Sequence, residues 1–178
     1  MIIILGESAS GKSSIEKELV NFYKFKKIVS YTTRQPRSGE TDGIDYHFIT
    51  DEKFKELIKN NFFAEYSVYR GWYYGTSKED CISSNDKILV ATPHGLRQFK
   101  KNKEIKIISF YINIPRRDRL IKILQRGDDI DESYRRNLND SGQFDGIEDE
   151  VDYVIYNDGY KKTITQVTRE VILNYANI

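Results

Sequence analysis

Ile2, Ile3, Ile4 and Leu5 form an unbroken apolar run, the pattern of a strand covered on both faces in a parallel sheet. After a polar, glycine-containing stretch, Ile15, Leu19, Phe22 and Tyr23 recur at helical spacing and predict a helix from about Lys12 to Tyr23 with one apolar face. Ile28 and Val29 predict a second short strand, and Pro36, Gly39 and Gly43 mark an irregular segment after it. Tyr46 to Thr50 reads as extended, and Asp51 to Asn61 as a helix capped by Thr50 or Asp51 and buried through Phe54, Leu57 and Ile58. Phe62 to Gly75 is aromatic and β-prone with Arg70-Gly71 as a turn in its middle, which predicts a hairpin. Ser77 to Ser84 predicts a short helix, Ile88 to Ala91 a buried strand, and Gly95 to Lys101 a short basic helix whose charges face solvent. Ile105 to Ile114 reads as a central strand ended by Pro115, and Arg116 to Gln125 as a helix with Leu120, Ile121 and Leu124 inward. Gly127 opens a polar span to Glu150, whose centre, Asp131 to Leu138, can form a helix. Val151 to Tyr156 is the last strand, and Ile164, Val167, Val171 and Tyr175 define a closing helix.

Strands and helices thus alternate around one sheet, an α/β arrangement with an aromatic insertion near Thr32 to Gly75 and a polar one near Arg126 to Glu150. At 178 residues the chain supports one core with insertions, not two comfortable domains. Its 28 Lys and Arg nearly balance 27 Asp and Glu, so no global field selects nucleic acid or an anionic membrane, and any anion binding is local. A single cysteine, Cys81, makes no internal disulfide. Met1 runs directly into the first strand without a signal segment, and no apolar run is long enough to span a bilayer. The expectation is a cytoplasmic protein of a reducing compartment, monomer or homodimer, with neither nucleic-acid nor membrane partners.

Between the first strand and the first helix stands Gly6-Glu7-Ser8-Ala9-Ser10-Gly11-Lys12-Ser13, which fits G-x-x-x-x-G-K-[ST] in the context that motif requires. The glycines let the backbone fold around an anion so that successive N–H groups point at phosphate oxygens, reinforced by the positive end of the following helix. Lys12 then reaches the β- and γ-phosphates, and the Ser13 hydroxyl ligates a phosphate-bound Mg²⁺.

A second constellation follows: Ser30-Tyr31-Thr32-Thr33-Arg34-Gln35-Pro36-Arg37-Ser38-Gly39-Glu40, then Asp42-Gly43-Ile44-Asp45-Tyr46-His47-Phe48. It resembles guanylate kinase, whose motif reads close to S-x-T-T-R-x-P-R-x-G-E-x-x-G-x-D-Y-x-F. The resemblance continues through Phe63-Ala64-Glu65-Tyr66, Tyr73-Tyr74-Gly75-Thr76, Arg126-Gly127 and Val154-Ile155-Tyr156-Asn157-Asp158, nearly the whole chain. It implies a P-loop NMP-kinase-like three-layer fold: a central parallel five-stranded sheet, a mixed α+β NMP-binding insertion and a helical lid. The core is then 1–31, 77–125 and 151–178, with a GMP-binding insertion over 32–76 and a lid over 126–150.

By the same resemblance Arg34 and Arg37 clamp the phosphate of GMP or dGMP, with hydroxyls from Tyr46 and Tyr74; forked guanidiniums on a loop held by a proline suit a dianion. Guanine presents N1–H and N2–H₂ on one edge, a donor pair that a carboxylate accepts, and Glu65 is the matching position, with Ser30 and Thr76 as hydroxyl contacts to the base. Gly6, Ser8, Ser10, Gly11, Lys12, Ser13 and Ser14 would bind ATP together with Arg126 and Asn157. Catalysis is expected from Lys12, Arg34, Arg126 and a lid arginine. The span after Gly127 is one residue shorter than the family pattern, so Arg135 and Arg136 compete for that last role, with Arg136 favoured.

One departure stands out. The family's D-x-D-x-Q-G stretch is here Val90-Ala91-Thr92-Pro93-His94-Gly95, without either aspartate. Their loss marks a minimal or divergent member and keeps two alternatives open: a catalytically weakened protein-binding module, or a P-loop kinase of another small phosphorylated substrate. The intact Lys12 loop argues against the first, and Glu65 with Ser30 and Thr76 against the second.

Overall fold

The structure, a computed structural model, describes residues 1–82, 86–127 and 129–177. Ile2–Leu5 forms β1, fully buried along its length, and it is the middle strand of an all-parallel five-stranded sheet. Lys26–Lys27 (β2) and Lys87–Val90 (β7) lie on one side of β1, and Ile108–Asn113 (β8) and Tyr153–Tyr156 (β9) on the other. Helices cover both faces, which is why β1 reads as continuously apolar. Lys12–Tyr23 (α1) and Ile164–Ala176 (α7) pack on one face through Ile15, Leu19, Val167 and Val171. Pro93–Lys101 (α4) packs on the other, with Leu96 and Phe99 against Ile3, Leu5 and Tyr111. The expected three layers are therefore present.

A second sheet has the order β4-β3-β6-β5, built from Tyr31–Thr32 (β3), His47–Phe48 (β4), Phe63–Tyr69 (β5) and Trp72–Ser77 (β6). Asp51–Lys59 (α2) covers it through Phe54, whose ring stacks on Phe63 at 4.3 Å and on Tyr73 at 5.1 Å. Gly75 must be glycine here, because a Cβ would stand 2.9 Å from both the Phe54 and Phe63 rings. Thr50 caps α2, accepting from the Lys53 N–H. Arg116–Arg126 (α5) and Ile130–Asp140 (α6) follow β8, and Lys78–Ile82 (α3) precedes β7. The expected helix through Ser84 runs into residues 83–84, which lie outside the described residues.

Three expectations are corrected. Ile28 and Val29 are not the second strand: β2 is Lys26–Lys27, and Ile28 is buried beyond it with its N–H bonded to the Ile88 carbonyl. The polar lysines escape a hydrophobicity reading because β2 is a solvent-exposed edge strand. Phe22 is 74% exposed, so the inward face of α1 is narrower than its apolar spacing. In α5, Ile121 and Leu124 face solvent while Arg119 and Ile123 are buried; the helix turns a guanidinium inward because a carboxylate partner awaits it, described next.

Candidate active site

The glycine loop leaves β1 at the carboxyl end of the parallel sheet and enters α1. Gly6 is required by space, since a Cβ would lie 2.4 Å from Ser10 Oγ and 3.0 Å from the Ile112 carbonyl. Gly11 is required by conformation, at φ +93°. Ala9 takes φ +67° without being glycine. The first turn of α1 has no side-chain cap, so its N–H groups and dipole are available to an anion. Lys12 lies in this turn, its Nζ donating to the Glu7 carbonyl at 2.9 Å. Burial draws its pKa down to about 8, with Asp140 and Glu7 pulling it up. Ser13 and Ser14 are exposed beside it. Ser10 Oγ is buried with no partner among the described residues, a polar atom whose desolvation is uncompensated.

Three residues that sequence reasoning passed over hold this loop. Arg119, 5% exposed, donates from Nη2 to Glu7 Oε1 at 3.0 Å and from Nε to the Ile114 carbonyl at 3.0 Å. Tyr111 donates to Glu7 Oε2 at 3.0 Å, and burial pushes that phenol's pKa up. Asp140, the last residue of α6, accepts the Ser8 N–H through Oδ2 at 2.7 Å. A carboxylate oxygen therefore sits on a loop amide of the kind that cradles phosphate oxygens. None of these partners carries a sequence signal, because each is more than 100 positions away from the loop residue it meets.

Asn157 is buried, and its amide joins both ways to Lys162, accepting from the Lys162 N–H at 2.8 Å and donating to the Lys162 carbonyl at 3.0 Å. Its side chain thus shapes the loop beyond β9. Tyr160 in that loop donates to the Ala9 carbonyl at 3.0 Å. Arg126, at the end of α5, is close enough to lower the pKa of this same tyrosine, which burial raises.

Across the cleft, Arg34 is buried on the loop after β3. Its Nη2 meets Glu40 Oε1 at 2.8 Å and Oε2 at 2.9 Å, and its Nη1 donates to the Gln35 carbonyl at 2.8 Å. The same Glu40 accepts the Arg37 N–H at 2.7 Å, so one carboxylate shapes the turn carrying both arginines. The Arg34 guanidinium lies over the Tyr46 ring at 5.5 Å and the Phe48 ring at 5.8 Å, and Glu40 and Tyr74 both hold it charged. Arg34, Arg37 and Arg136 line one cleft of about 440 Å³ with Gln35, Arg70 and Trp72. Of the two alternatives for the lid arginine, Arg136 is the one in this cleft.

Glu65 and Thr76 face each other across β5 and β6. Thr76 donates to Glu65 Oε1 at 2.7 Å and lies 3.1 Å from Ser30 Oγ, giving a chain of two hydroxyls ending on a carboxylate. Burial pushes the Glu65 pKa up to about 7, only partly offset by the Thr76 hydrogen bond. Gln98 on α4 pairs with both backbone groups of Tyr66, at 3.1 Å and 2.8 Å, and so locks the edge strand that carries Glu65 against the core. Thr92 caps α4 by accepting the Gly95 N–H at 3.1 Å, Val90 packs against the core, and His94 is exposed. The positions where the two aspartates were missed are thus filled by a helix cap and an apolar contact. Among the described residues no group of three or more acidic, histidine or cysteine side chains is placed to hold a metal, and no helix is long and apolar enough to cross a membrane.

Comparison with known proteins identifies the family. A family model described as guanylate kinase matches residues 1–174. The guanylate kinase of Rickettsia prowazekii is 33% identical over 99% of this chain and 92% of its own length, and that of Aliivibrio fischeri 36% identical over 90% and 81%. The crystal structure of guanylate kinase from Anaplasma phagocytophilum superposes with a TM-score of 0.70 at 22% identity, over 99% of this chain and 85% of that one, which speaks to the fold. The family match over residues 1–174, with curated relatives at about a third identity over nearly the whole chain, places this chain in the guanylate kinase family.

Proposed function

We propose that this ATP-dependent nucleotide kinase transfers the γ-phosphoryl group of ATP to GMP or dGMP, releasing ADP and GDP or dGDP. The observation that carries the reading is the pairing of a carboxylate on a hydroxyl chain, Glu65 with Thr76 and Ser30, with the neighbouring loop of Arg34 and Arg37. The first matches the donor edge of guanine, which adenine lacks, and the second matches a phosphate dianion. A base unable to donate to Glu65 would leave its buried carboxylate with Thr76 as its one named donor, a basis for rejection.

In this reading the glycine loop and Lys12 hold the ATP phosphates, Asp140 yields the Ser8 N–H to a phosphate oxygen, and Ser13 is the chain's own oxygen ligand for Mg²⁺. An exposed hydroxyl, with no carboxylate cage among the described residues, fits a metal carried by the nucleotide's phosphates and its waters. The metal, when bound, neutralises charge on the transferring group. Arg34, Arg126 and Arg136 supply donors to the equatorial oxygens, and the acceptor phosphate attacks in line without a general base. Arg126 and Asn157 flank the ATP side, Asn157 by shaping the loop beside it. Residues 32–76 and 126–150 act as the acceptor-binding insertion and the lid. A single buried cysteine suits a reducing compartment, and we place the enzyme in the cytoplasm.

A coupled assay with ATP and each nucleoside monophosphate tests the reading. GMP or dGMP is expected to be turned over in preference to the others; AMP, CMP or UMP turned over faster would defeat the base assignment.

A further inference from the structure

The hairpin tip between β5 and β6 is built in a way its turn chemistry does not favour. Tyr69 pairs with Trp72, leaving Arg70 and Gly71 as a two-residue loop with φ of +54° and +79°. Two positive φ values in such a loop define the turn for which Asn-Gly is the preferred pair. A long side chain at the first position is strained there, and strain of this kind at a cleft is a pointer to function.

The tip also sits where it meets the rest of the site. Arg70 lines the same cleft as Arg34, Arg37 and Arg136. It stacks over the Tyr69 ring at 5.3 Å, which limits the guanidinium's freedom. The Tyr69 hydroxyl accepts from Asn139 of α6, fixing the tip against the helix that brings Arg136. Four guanidiniums line this one small cleft, Arg34 being already paired with Glu40, and their forked donors together suit a multiply charged anion.

We infer that Arg70 joins Arg34, Arg37 and Arg136 as the fourth arginine of this cleft and contacts the phosphate of the acceptor nucleotide. The inference rests on the proposed GMP kinase reading and adds to it a residue outside every phosphate motif of the chain.

Two variants test it. Arg70→Asn restores the favoured turn pair while removing the guanidinium, and Arg70→Lys keeps a charge without the fork. For Arg70→Asn the expected results are a KM for GMP about 10-fold higher, an unchanged KM for ATP, and unchanged inhibition by guanosine, which has no phosphate. The same variant should melt about 2–4 °C higher, which rules out misfolding as the cause. Arg70→Lys should fall between wild type and Arg70→Asn in KM for GMP. An unchanged KM for GMP in Arg70→Asn, or equal weakening of GMP and guanosine, overturns the role of Arg70 while leaving the kinase reading intact. Failure of the wild-type protein to phosphorylate GMP overturns both.

Discussion

Replacing Glu65 by glutamine isolates the carboxylate on which guanine selection is proposed to rest. In the native protein its pKa is raised from 4.5 to about 7, chiefly by burial. Between those values the folded chain holds a proton that the unfolded chain has released, so stability falls as pH rises through this window. The stabilisation is complete below pH 4.5 and gone above about pH 7. Across the whole window the loss is roughly 3 kcal/mol, an upper value because the side chain retains some contact with solvent. Glu65→Gln stays neutral at every pH and can still accept from Thr76. The variant should therefore be more stable than wild type at pH 8, with the difference closing towards pH 4.5. Urea unfolding at several pH values reads this directly.

Catalysis should move the opposite way. Guanine's two donors favour the ionised carboxylate, so wild-type affinity for GMP should fall as pH drops below 7, with a proton released on binding. In Glu65→Gln that dependence disappears and the KM for GMP rises by roughly 10²-fold, with little change for ATP. Parallel stability profiles for the two proteins would refute the desolvated carboxylate. Equal increases in both KM values would refute its contact with the base.

Three further perturbations probe the donor side. Asp140→Asn weakens the acceptor now seated on the Ser8 N–H, so the KM for ATP should fall by up to about 10-fold; a rise would mean that Asp140 assists the nucleotide. Ala9→Gly removes the cost of a left-handed alanine at φ +67°, about 1 kcal/mol, and calorimetry should show a melting point higher by about 2–4 °C; no gain would show that the loop relaxes without strain. Because the Lys12 pKa is drawn down to about 8, the KM for ATP should climb as pH passes 8 and the free enzyme loses that positive charge; a flat profile up to pH 9.5 would contradict it.

How much of this was legible in advance follows from distance along the chain. The apolar run Ile2 to Leu5, the glycine loop and the helix after it are contiguous, and each needs only its neighbours' sterics and periodicity to be recognised. The turn carrying Arg34 and Arg37 is likewise local, with its own carboxylate, Glu40, three positions from Arg37. The hairpin was readable from its β-prone flanks around Arg70-Gly71. By themselves these residues determined the fold class and marked the two stretches proposed to hold phosphate and acceptor.

What tertiary structure alone decided is which distant groups complete those sites. No local period records that Arg119 turns inward to Glu7 across 112 positions, or that Asp140 reaches Ser8 across 132. Nor does one record that Gln98 mimics a strand partner for Tyr66. The same holds for Arg136 and Arg70, exposed charges in the sequence that share one cleft only because α6 folds over the hairpin tip. A charged side chain has no preferred period of its own; its place is set by the partner that offsets its desolvation, and that partner is found only when the chain has folded.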